Sequence, residues 1–461
     1  MFNWIEETEK RRDQIIKDTQ EFLRIKSVLD EEDGQEGAPF GKGIQEAFEH
    51  LLNKGEKDGF ISKNLDGYAG HLEMGKGDEL LGILCHIDVV PEGDGWSSDP
   101  YGADIRDGKI FARGALDDKG PTMAAYHAMK LVKDSGVELN KKVRMIIGTD
   151  EESDWRCVDH YFKHEQMPDI GFAPDADFPI IHAEKGIIDA KLQFNGEESA
   201  DSGSLTLVSF SSGRRFNMVP DFAEAEVKGT AELEAQFSAW LEKEGVKGSV
   251  KRGSGQTVLQ IEGVSAHAME PNNGENAGVS LASFLNTLDL DGAGKRFVSF
   301  IKDHFDGDTR GKALEIKAND DVSGDLTVNL GTMKFSNQTG ELGINIRYPV
   351  TASSEPIKAA FESIQGAELT MFNDSPSHYV EADHPLIQTL SKVYEEQTGE
   401  KASLISIGGG TYARSLKAGV AFGPLFPGRP DIAHQKDEYI EIEDLIRATA
   451  IYAQAIYELA K

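Results

Sequence analysis

Three short apolar runs, at residues 80–85, 142–148 and 170–173, are each followed by a turn rich in acidic residues. An apolar run of this length, bounded by turn residues, predicts a strand that is buried on both faces. Apolar residues at helical spacing lie between the runs, as at 122–133, and alternating strands and helices are typical of a parallel α/β sheet. Ligands of such sheets bind beyond the carboxyl ends of the strands, so we expect the chemistry of this chain in the acidic turns.

The flanking sequence predicts further local elements. Apolar spacing predicts one helix at 8–28 and another at 43–54. Residues 70–81 predict two strands around a Gly-Lys-Gly-Asp turn, and residues 104–113 predict a hairpin with an Asp-Gly turn.

The character of the chain changes near Gly186. From there to about residue 377 the predicted strands are longer and alternate apolar with polar residues, which is typical of antiparallel sheet. Helices are predicted within this stretch at 230–243, 277–288 and 355–364. The α/β pattern returns at His384 and ends in a helix at 441–459. The sequence therefore predicts an α/β domain with a mostly parallel sheet, interrupted by an inserted α+β domain.

Composition and charge narrow the classes of partner. The chain has 461 residues, 39% of them hydrophobic, and a formal net charge of −31. This charge argues against nucleic acid and anionic membranes, and it would attract metal cations, although a purely solubilising role is an equal alternative. With only two cysteines, Cys85 and Cys157, neither a disulfide framework nor a thiolate cluster is expected. No apolar run could span a bilayer and no signal core follows the N-terminus, so we expect a cytoplasmic protein.

Imidazole and carboxylate side chains concentrate in the turn-like segments. The candidate metal ligands are His86, Asp117, Glu152, Asp175 and His434. Nitrogen and oxygen donors without a thiolate suit Zn²⁺, Co²⁺ or Mn²⁺, and a carboxylate can bridge two ions. Each residue taken alone also fits a structural role, as an N-cap, a solvated turn or an exposed loop, so the prediction depends on the whole set.

Two further acidic residues suggest how such a site would act. In the pair Glu151-Glu152, one carboxylate can bind metal while its neighbour accepts a proton from the attacking water. Asp88 lies two residues after His86, where it could accept a hydrogen bond from that imidazole or from another ligand.

The segments HIDVVPEGDGW, ARGALDDKGP, GTDEESDW, APDADFP and AHQKDE together resemble the di-zinc exopeptidases related to carboxypeptidase G and aminoacylase. Within that family the chain is most similar to the bacterial dipeptidase V group, the carnosinase-like dipeptidases that cleave Xaa-His or β-Ala substrates. The resemblance covers essentially the whole chain in order. It implies a catalytic domain of the zinc-exopeptidase type at residues 1–186 and 382–461 and an inserted lid domain at 187–381.

The resemblance also implies a role for each metal ligand. His86 and Asp175 would hold one ion, Glu152 and His434 would hold the other, and Asp117 would bridge them. The ions would be zinc, with manganese and cobalt as alternatives.

The catalytic roles implied by the resemblance fall on neighbouring residues. Glu151 would be the general base and then the acid toward the leaving amine, and Asp88 would orient His86. The peptide between Asp117 and Asp118 would be cis.

Lid residues are assigned in the same way. His267 in GVSAHAMEP would stabilise the oxyanion, and Asn217 in RFNMVP and Arg347 in NIRYP would bind substrate. Arg347 would take the terminal carboxylate, to which the loop of Gly409, Gly410 and Thr411 would add N–H donors. A surface-loop histidine and a strand-face salt bridge are the alternatives for His267 and Arg347. The long lid favours a monomer that supplies His267 in cis, with a dimer as the alternative.

The function expected from the sequence is hydrolysis of unblocked dipeptides by water activated by two metal ions. A related amidohydrolase acting on N-acyl amino acids would use the same metal site. A third hypothesis is a metal-binding relative without catalysis. Glu151 beside Glu152 counts against this hypothesis, because a site that only binds metal needs no proton shuttle.

Overall fold

The computed structural model describes residues 2–195, 203–229, 233–253 and 255–461. The chain divides into two compact units. Unit 1 comprises Met1–His182, Tyr379–Ile405 and Gly410–Lys461, and unit 2 comprises Ala183–His378 and Ser406–Gly409. No helix within the described ranges is long and apolar enough to cross a membrane.

The helices, in chain order, are α1 (Trp4–Glu9), α2 (Arg12–Leu23), α3 (Lys42–Lys57), α4 (Lys119–Asp134), α5 (Arg156–His164), α6 (Leu233–Glu244), α7 (Ala277–Leu285), α8 (Gly292–Phe305), α9 (Glu355–Glu362), α10 (Pro385–Thr398) and α11 (Ile442–Ala460). The helix predicted at 8–28 is instead split into α1 and α2. The predicted start of α6, at residues 230–232, lies outside the described residues. Helix α8 was not predicted.

The strands, in chain order, are β1 (Ile61–Leu65), β2 (Ala69–Gly75), β3 (Leu80–His86), β4 (Asp104–Arg106), β5 (Lys109–Phe111), β6 (Lys142–Gly148), β7 (Ile170–Ala173), β8 (Ala176–Asp177), β9 (Ile180–Glu184), β10 (Gly186–Phe194), β11 (Thr206–Ser212), β12 (Phe222–Lys228), β13 (Lys247–Arg252), β14 (Gln256–Glu262), β15 (Asn319–Asp320), β16 (Gly324–Asp325), β17 (Thr327–Ser336), β18 (Thr339–Tyr348), β19 (Glu368–Ser375), β20 (His378–Tyr379), β21 (Leu404–Ile407), β22 (Gly419–Ala421), β23 (Pro424–Leu425) and β24 (Tyr439–Glu441).

Unit 1 is built on a mixed sheet whose central strands are parallel. The strand order runs β1-β2-β6-β3-β7-β22, with β3 parallel to β6 and β7, and β22 parallel to β7. Strands β1 and β2 run antiparallel at one flank. Every residue of β3 is buried, and helices α4 and α11 pack against it. The carboxyl ends of β3, β6 and β7 therefore meet at one edge, which places their acidic turns together.

Strands β2 and β3 do not form a hairpin although they flank the Gly-Lys-Gly-Asp turn. Strand β6 lies between them, antiparallel to β2 and parallel to β3. The turn residues predict a change of direction, but the identity of the neighbouring strand depends on a segment some 60 residues away.

Unit 2 contains an antiparallel sheet in the order β13-β14-β12-β11-β17-β18-β10-β19. Burial alternates along β10, with Ile188, Ala190 and Leu192 fully buried. Helices α7 and α8 pack on β11, and their apolar residues join the core of this sheet. The predicted fold class is confirmed: an α/β part with parallel central strands is interrupted by an inserted α+β part.

Candidate metal centre and substrate segment

His86 closes the buried strand β3, and its ring is fixed from several sides. Its backbone N–H donates to Asp118 Oδ2 (3.1 Å), and its Nδ1 hydrogen-bonds to the backbone carbonyl of Asp88 (3.0 Å). The ring packs edge-on against Tyr412, with centroids 6.0 Å apart. Because a carbonyl can only accept, Nδ1 carries the proton in the neutral ring and Nε2 keeps the lone pair that a metal ligand needs.

Asp117 lies between the two candidate imidazoles. Its Oδ1 is 3.0 Å from His86 Nε2, and its Oδ2 is 2.9 Å from His434 Nε2. Burial opposes the charge of Asp117, but hydrogen bonds from His434 and His86 in their doubly protonated, cationic forms outweigh it and lower its pKa well below the usual range. One carboxylate that offers an oxygen toward each of two nitrogen donors has the geometry of a bridging ligand. The peptide between Asp117 and Asp118 is cis, as the resemblance predicts.

Glu152 and Asp175 add one carboxylate beside each histidine. Glu152 Oε1 is 2.9 Å from His434 Nε2, and Asp175 Oδ2 is 3.7 Å from His86 Nε2. Hydrogen bonds to Asp117 and Glu152 raise the pKa of His434 to about 10. Among the described residues, two groups have donor atoms that all lie within 4.8 Å of one another: His86 with Asp117 and Glu152, and His86 with Asp118 and Asp175.

Negative charge exceeds positive charge in this cluster, and the pKa values of two of its carboxyl groups are raised. Burial and the nearby Asp117 raise the pKa of Asp175 to about 6. Burial and Asp175 raise the pKa of Asp118 well above its ordinary value, and its buried Oδ1 has no hydrogen-bond partner among the described residues. Divalent cations would offset this charge, and the set of imidazole nitrogens and carboxylate oxygens fits Zn²⁺, Mn²⁺ or Co²⁺. The residues present therefore fit the metal pair that the resemblance implies.

Glu151 lies beside these groups, and the pKa of its carboxyl is raised. Its backbone N–H donates to Asp88 Oδ1 (3.1 Å). Burial raises the pKa of its carboxyl well above the ordinary value, and the charges of Asp175 and Glu152 add to the rise. A raised pKa makes a carboxylate a stronger base, which favours its use as a proton acceptor.

Asp88 supports two parts of the cluster with different atoms. Its carbonyl holds the His86 ring. Its carboxylate accepts the N–H groups of Glu151 (3.1 Å) and Glu152 (3.0 Å), while the distance from Asp88 Oδ1 to His86 Nδ1 is 3.5 Å. The side chain of Asp88 therefore fixes the turn that carries the paired glutamates, and its backbone orients the imidazole.

Glu438 is a buried support that the sequence reasoning missed. It is 0% exposed, and it accepts backbone N–H groups from Gly114 (3.2 Å), Leu116 (2.8 Å) and Asp117 (3.2 Å). The guanidinium of Arg113 donates to it at 2.5 Å. Glu438 thus holds the loop that presents Asp117. The AHQKDE motif, in which it follows His434 by four positions, was the signal that could have found it.

Unit 2 holds Asn217 and His267 on paired segments. The N–H of Ala268 donates to the Asn217 carbonyl (2.9 Å), and Met218 and His267 form an antiparallel bridge. Burial lowers the pKa of His267, and the positive charge of Arg347 adds to the fall. A neutral imidazole can donate one hydrogen bond to a developing oxyanion without carrying charge in the ground state.

Buried Asn329 fixes the backbone on both sides of Asn217. Its Nδ2 donates to the carbonyls of Phe216 (2.7 Å) and Met218 (2.9 Å). Sequence reasoning missed this residue, because one asparagine in a strand carries no pattern of its own.

Arg347 is 5% exposed, and two of its guanidinium nitrogens donate to acceptors within unit 2. Its Nε donates to Asn345 Oδ1 (2.8 Å) and its Nη1 to the Gly408 carbonyl (3.0 Å). In the predicted loop, the Thr411 hydroxyl accepts the N–H of Ala413 (3.3 Å), which gives that residue a local capping contact. The substrate roles of Asn217, Arg347, Gly409, Gly410 and Thr411 remain predictions.

The geometry of unit 1 defines a class of site. Two imidazoles, a carboxylate between them and a neighbouring carboxyl group with a raised pKa form a candidate hydrolytic centre for divalent cations.

The chain belongs to the peptidase family M20/M25/M40, whose family model matches residues 82–458. That span contains every candidate ligand from His86 to His434. The predicted resemblance to this family, and the prediction of a peptidase, are therefore confirmed.

Relatives and solved structures agree with this family. The chain is 62% identical to the putative dipeptidase YtjP of Bacillus subtilis, with 100% of both chains covered. It is 44% identical to a Staphylococcus aureus protein of the same description, SAR1836, with 99% of both covered. It shares its fold with human carnosine dipeptidase 1 (TM-score 0.56, 14% identity, 99% of this chain and 98% of that one). The fold is also that of aminoacylhistidine dipeptidase from Vibrio alginolyticus (TM-score 0.59, 13% identity, 97% and 96%).

Proposed function

We propose that this chain is a metal-dependent dipeptidase that hydrolyses unblocked dipeptides. The observation that carries the proposal is the position of Asp117, with one carboxylate oxygen 3.0 Å from His86 and the other 2.9 Å from His434. His86 and Asp175 would hold one ion, Glu152 and His434 the other, and Asp117 both, with zinc as the expected metal. Bound ions would supply Lewis acidity, which acidifies water and polarises the scissile carbonyl.

The remaining chemistry falls to side chains of this chain. Glu151 would take the proton of the attacking water and return it to the leaving amine, for which its raised pKa is suited. His267 would donate a hydrogen bond to the oxyanion. Arg347, with Asn217 and the loop of Gly409, Gly410 and Thr411, would bind the terminal carboxylate.

The proposal extends to the organisation of the chain. Residues 1–186 and 382–461 would act as the catalytic domain, and residues 187–381 would act as the lid. The protein would work as a monomer that supplies His267 in cis. The dipeptidase descriptions of its relatives, which cover the full length of the chain, support a small peptide as substrate.

The test is hydrolysis of a panel of free dipeptides and N-acyl amino acids by chelator-treated protein, with Zn²⁺, Mn²⁺ or Co²⁺ added back. We expect metal-restored cleavage of the dipeptides. If only the N-acyl compounds were cleaved, the proposed substrate class would be wrong, while the proposed metal ligands would stand. Absence of metal-dependent cleavage of either would overturn the proposed function.

A further inference from the structure

A second polar feature of unit 2 lies next to the predicted substrate segment. Residues 213–221 connect β11 to β12, and most of them, though neither Phe216 nor Asn217, line a cavity of about 560 Å³. The charged and hydroxyl-bearing residues of its lining are Arg214, Arg215, Asp221, Ser211, Ser212 and Ser265. Arg215 precedes Asn217 by two positions. The cavity therefore shares its loop with a residue that is expected to contact substrate.

The two arginines stand out because of their charge environment. Both are exposed, and neither forms an ion pair or side-chain hydrogen bond with any residue that the structure describes. The chain as a whole has 79 acidic residues against 48 lysines and arginines. The charges of these two adjacent guanidiniums are therefore not offset by a carboxylate partner among the described residues. Counting Asp221, the charged groups of the cavity leave it with a net positive charge.

The backbone that presents these arginines is fixed. Gly213 has φ +75°, and a Cβ there would lie 1.9 Å from the Gly331 carbonyl oxygen, so only glycine fits this approach. Further along the loop, the N–H of Val219 donates to the Ala266 carbonyl (2.8 Å). A cavity with a rigid backbone loses less entropy when a ligand orders its arginine side chains.

We propose that this cavity is a specificity subsite for the acidic side chain of a dipeptide substrate, an inference that rests on the proposed function. The planar fork of a guanidinium matches a carboxylate and can bind it through two parallel hydrogen bonds. The subsite offers this match where the overall negative charge of the chain would otherwise disfavour anionic substrates. Asp221 on the wall moderates the attraction, which fits a singly charged carboxylate better than a multiply charged anion.

The test compares each acidic dipeptide with its neutral amide of the same shape. We would measure kcat/KM for Ala-Glu against Ala-Gln and for Glu-Ala against Gln-Ala. We expect the wild-type protein to prefer the acidic member of at least one pair by about 10-fold, the effect of one charge-assisted contact. In the double variant R214Q/R215Q that ratio should fall close to one. In D221N it should rise, because the opposing carboxylate is gone.

A matched control removes two positive charges from the same unit. Lys247 and Lys251 are exposed on the edge strand β13, and K247Q/K251Q should leave the ratio unchanged. A wild-type protein without an acidic preference, or a ratio that R214Q/R215Q does not alter, would overturn the subsite. An equal fall in the lysine control would also overturn it, because the effect would then come from net charge.

Binding to metal-free protein separates this inference from the proposed function. Calorimetry should show that Ala-Glu binds more tightly than Ala-Gln, and that R214Q/R215Q abolishes the difference. If no dipeptide is cleaved, the proposed function fails, while this binding result still decides whether the cavity takes an acidic side chain. Inorganic phosphate that binds the cavity as tightly as Ala-Glu would overturn the substrate assignment.

Discussion

The candidate metal centre of unit 1 and the predicted substrate segment of unit 2 differ in the groups that support their side chains. In unit 1, buried carboxyl groups hold the loops that carry the acidic side chains. Glu438, paired with Arg113, accepts the backbone N–H of Asp117, and the Asp88 carboxylate accepts that of Glu151. In unit 2, two of the groups that hold Arg347 are the acceptors Asn345 Oδ1 and Gly408 O.

The difference fits what each region is expected to bind. Carboxylates that ligate cations repel one another until the cations arrive, so their loops need strong local anchors. An arginine that is expected to bind a substrate carboxylate has to be oriented, and an amide oxygen such as Asn345 Oδ1 can orient it without adding negative charge.

The largest expected effect separates proton transfer from metal binding within unit 1. Glu151→Gln should lower turnover by about 10²–10⁴-fold, the usual contribution of a general base, because an amide cannot accept the proton. Metal content, measured by elemental analysis, should be unchanged, since Glu151 is not among the proposed ligands. Asp154→Asn, an exposed carboxylate in the same loop, is the matched control and should keep full activity. Loss of metal together with activity would show that Glu151 acts as a ligand.

The next largest effect is expected from replacing the residues that hold the Asp117 loop and the Arg347 side chain. Glu438→Gln places an NH₂ group against N–H donors and should weaken zinc binding by about 10–100-fold, as changes of outer-shell partners do. Titration calorimetry on chelator-treated protein measures this affinity.

Asn345→Ala, which removes an acceptor of Arg347, should raise KM for dipeptides and leave zinc affinity unchanged. The comparison fails if both variants change zinc affinity equally.

Sequence reasoning reached the elements whose causes are local. The buried run of β3 and the amphipathic α3 can be predicted because periodicity reports burial on one or both faces. The meeting of His86, Glu152 and Asp175 follows from parallel strands ending at one edge of a sheet. Helix α8 was missed because it begins Gly-Ala-Gly, a composition more typical of a turn.

The supports could not be predicted because they act over long sequence separations. Glu438 contacts the N–H of Asp117, 321 positions away, and Asn329 contacts Phe216, 113 positions away. A polar residue in a loop or strand looks the same whether it is solvated or holds a distant backbone. Family motifs indicated the candidate ligands, and only the fold shows which buried polar groups hold their loops in place.

The smallest expected effect concerns Asp18, a buried carboxylate outside the candidate metal centre. It tests whether ion pairing or burial determines the pKa of a buried acidic group. Asp18 on α2 is 4% exposed and lies 2.7 Å from Lys54 Nζ and 3.1 Å from His127 Nε2. Burial opposes its charge, but His127 and Lys54 outweigh it and lower its pKa to about 2. Unlike the carboxylates of the candidate metal centre, this one already faces a cation of the chain, Lys54.

Asp18→Asn should therefore destabilise the protein by about 1–3 kcal/mol at pH 7, the usual effect of breaking a buried charged hydrogen bond. Because the folded pKa lies below the unfolded one, this stabilisation is present above about pH 4 and is lost as the pH falls toward 2. The difference in thermal midpoint between wild type and variant should shrink between pH 4 and pH 3. A chelator should lower both midpoints equally, since the Asp18 pair contains no metal ligand. A difference that persists at low pH would mean that packing, and not the charge pair, holds these helices together.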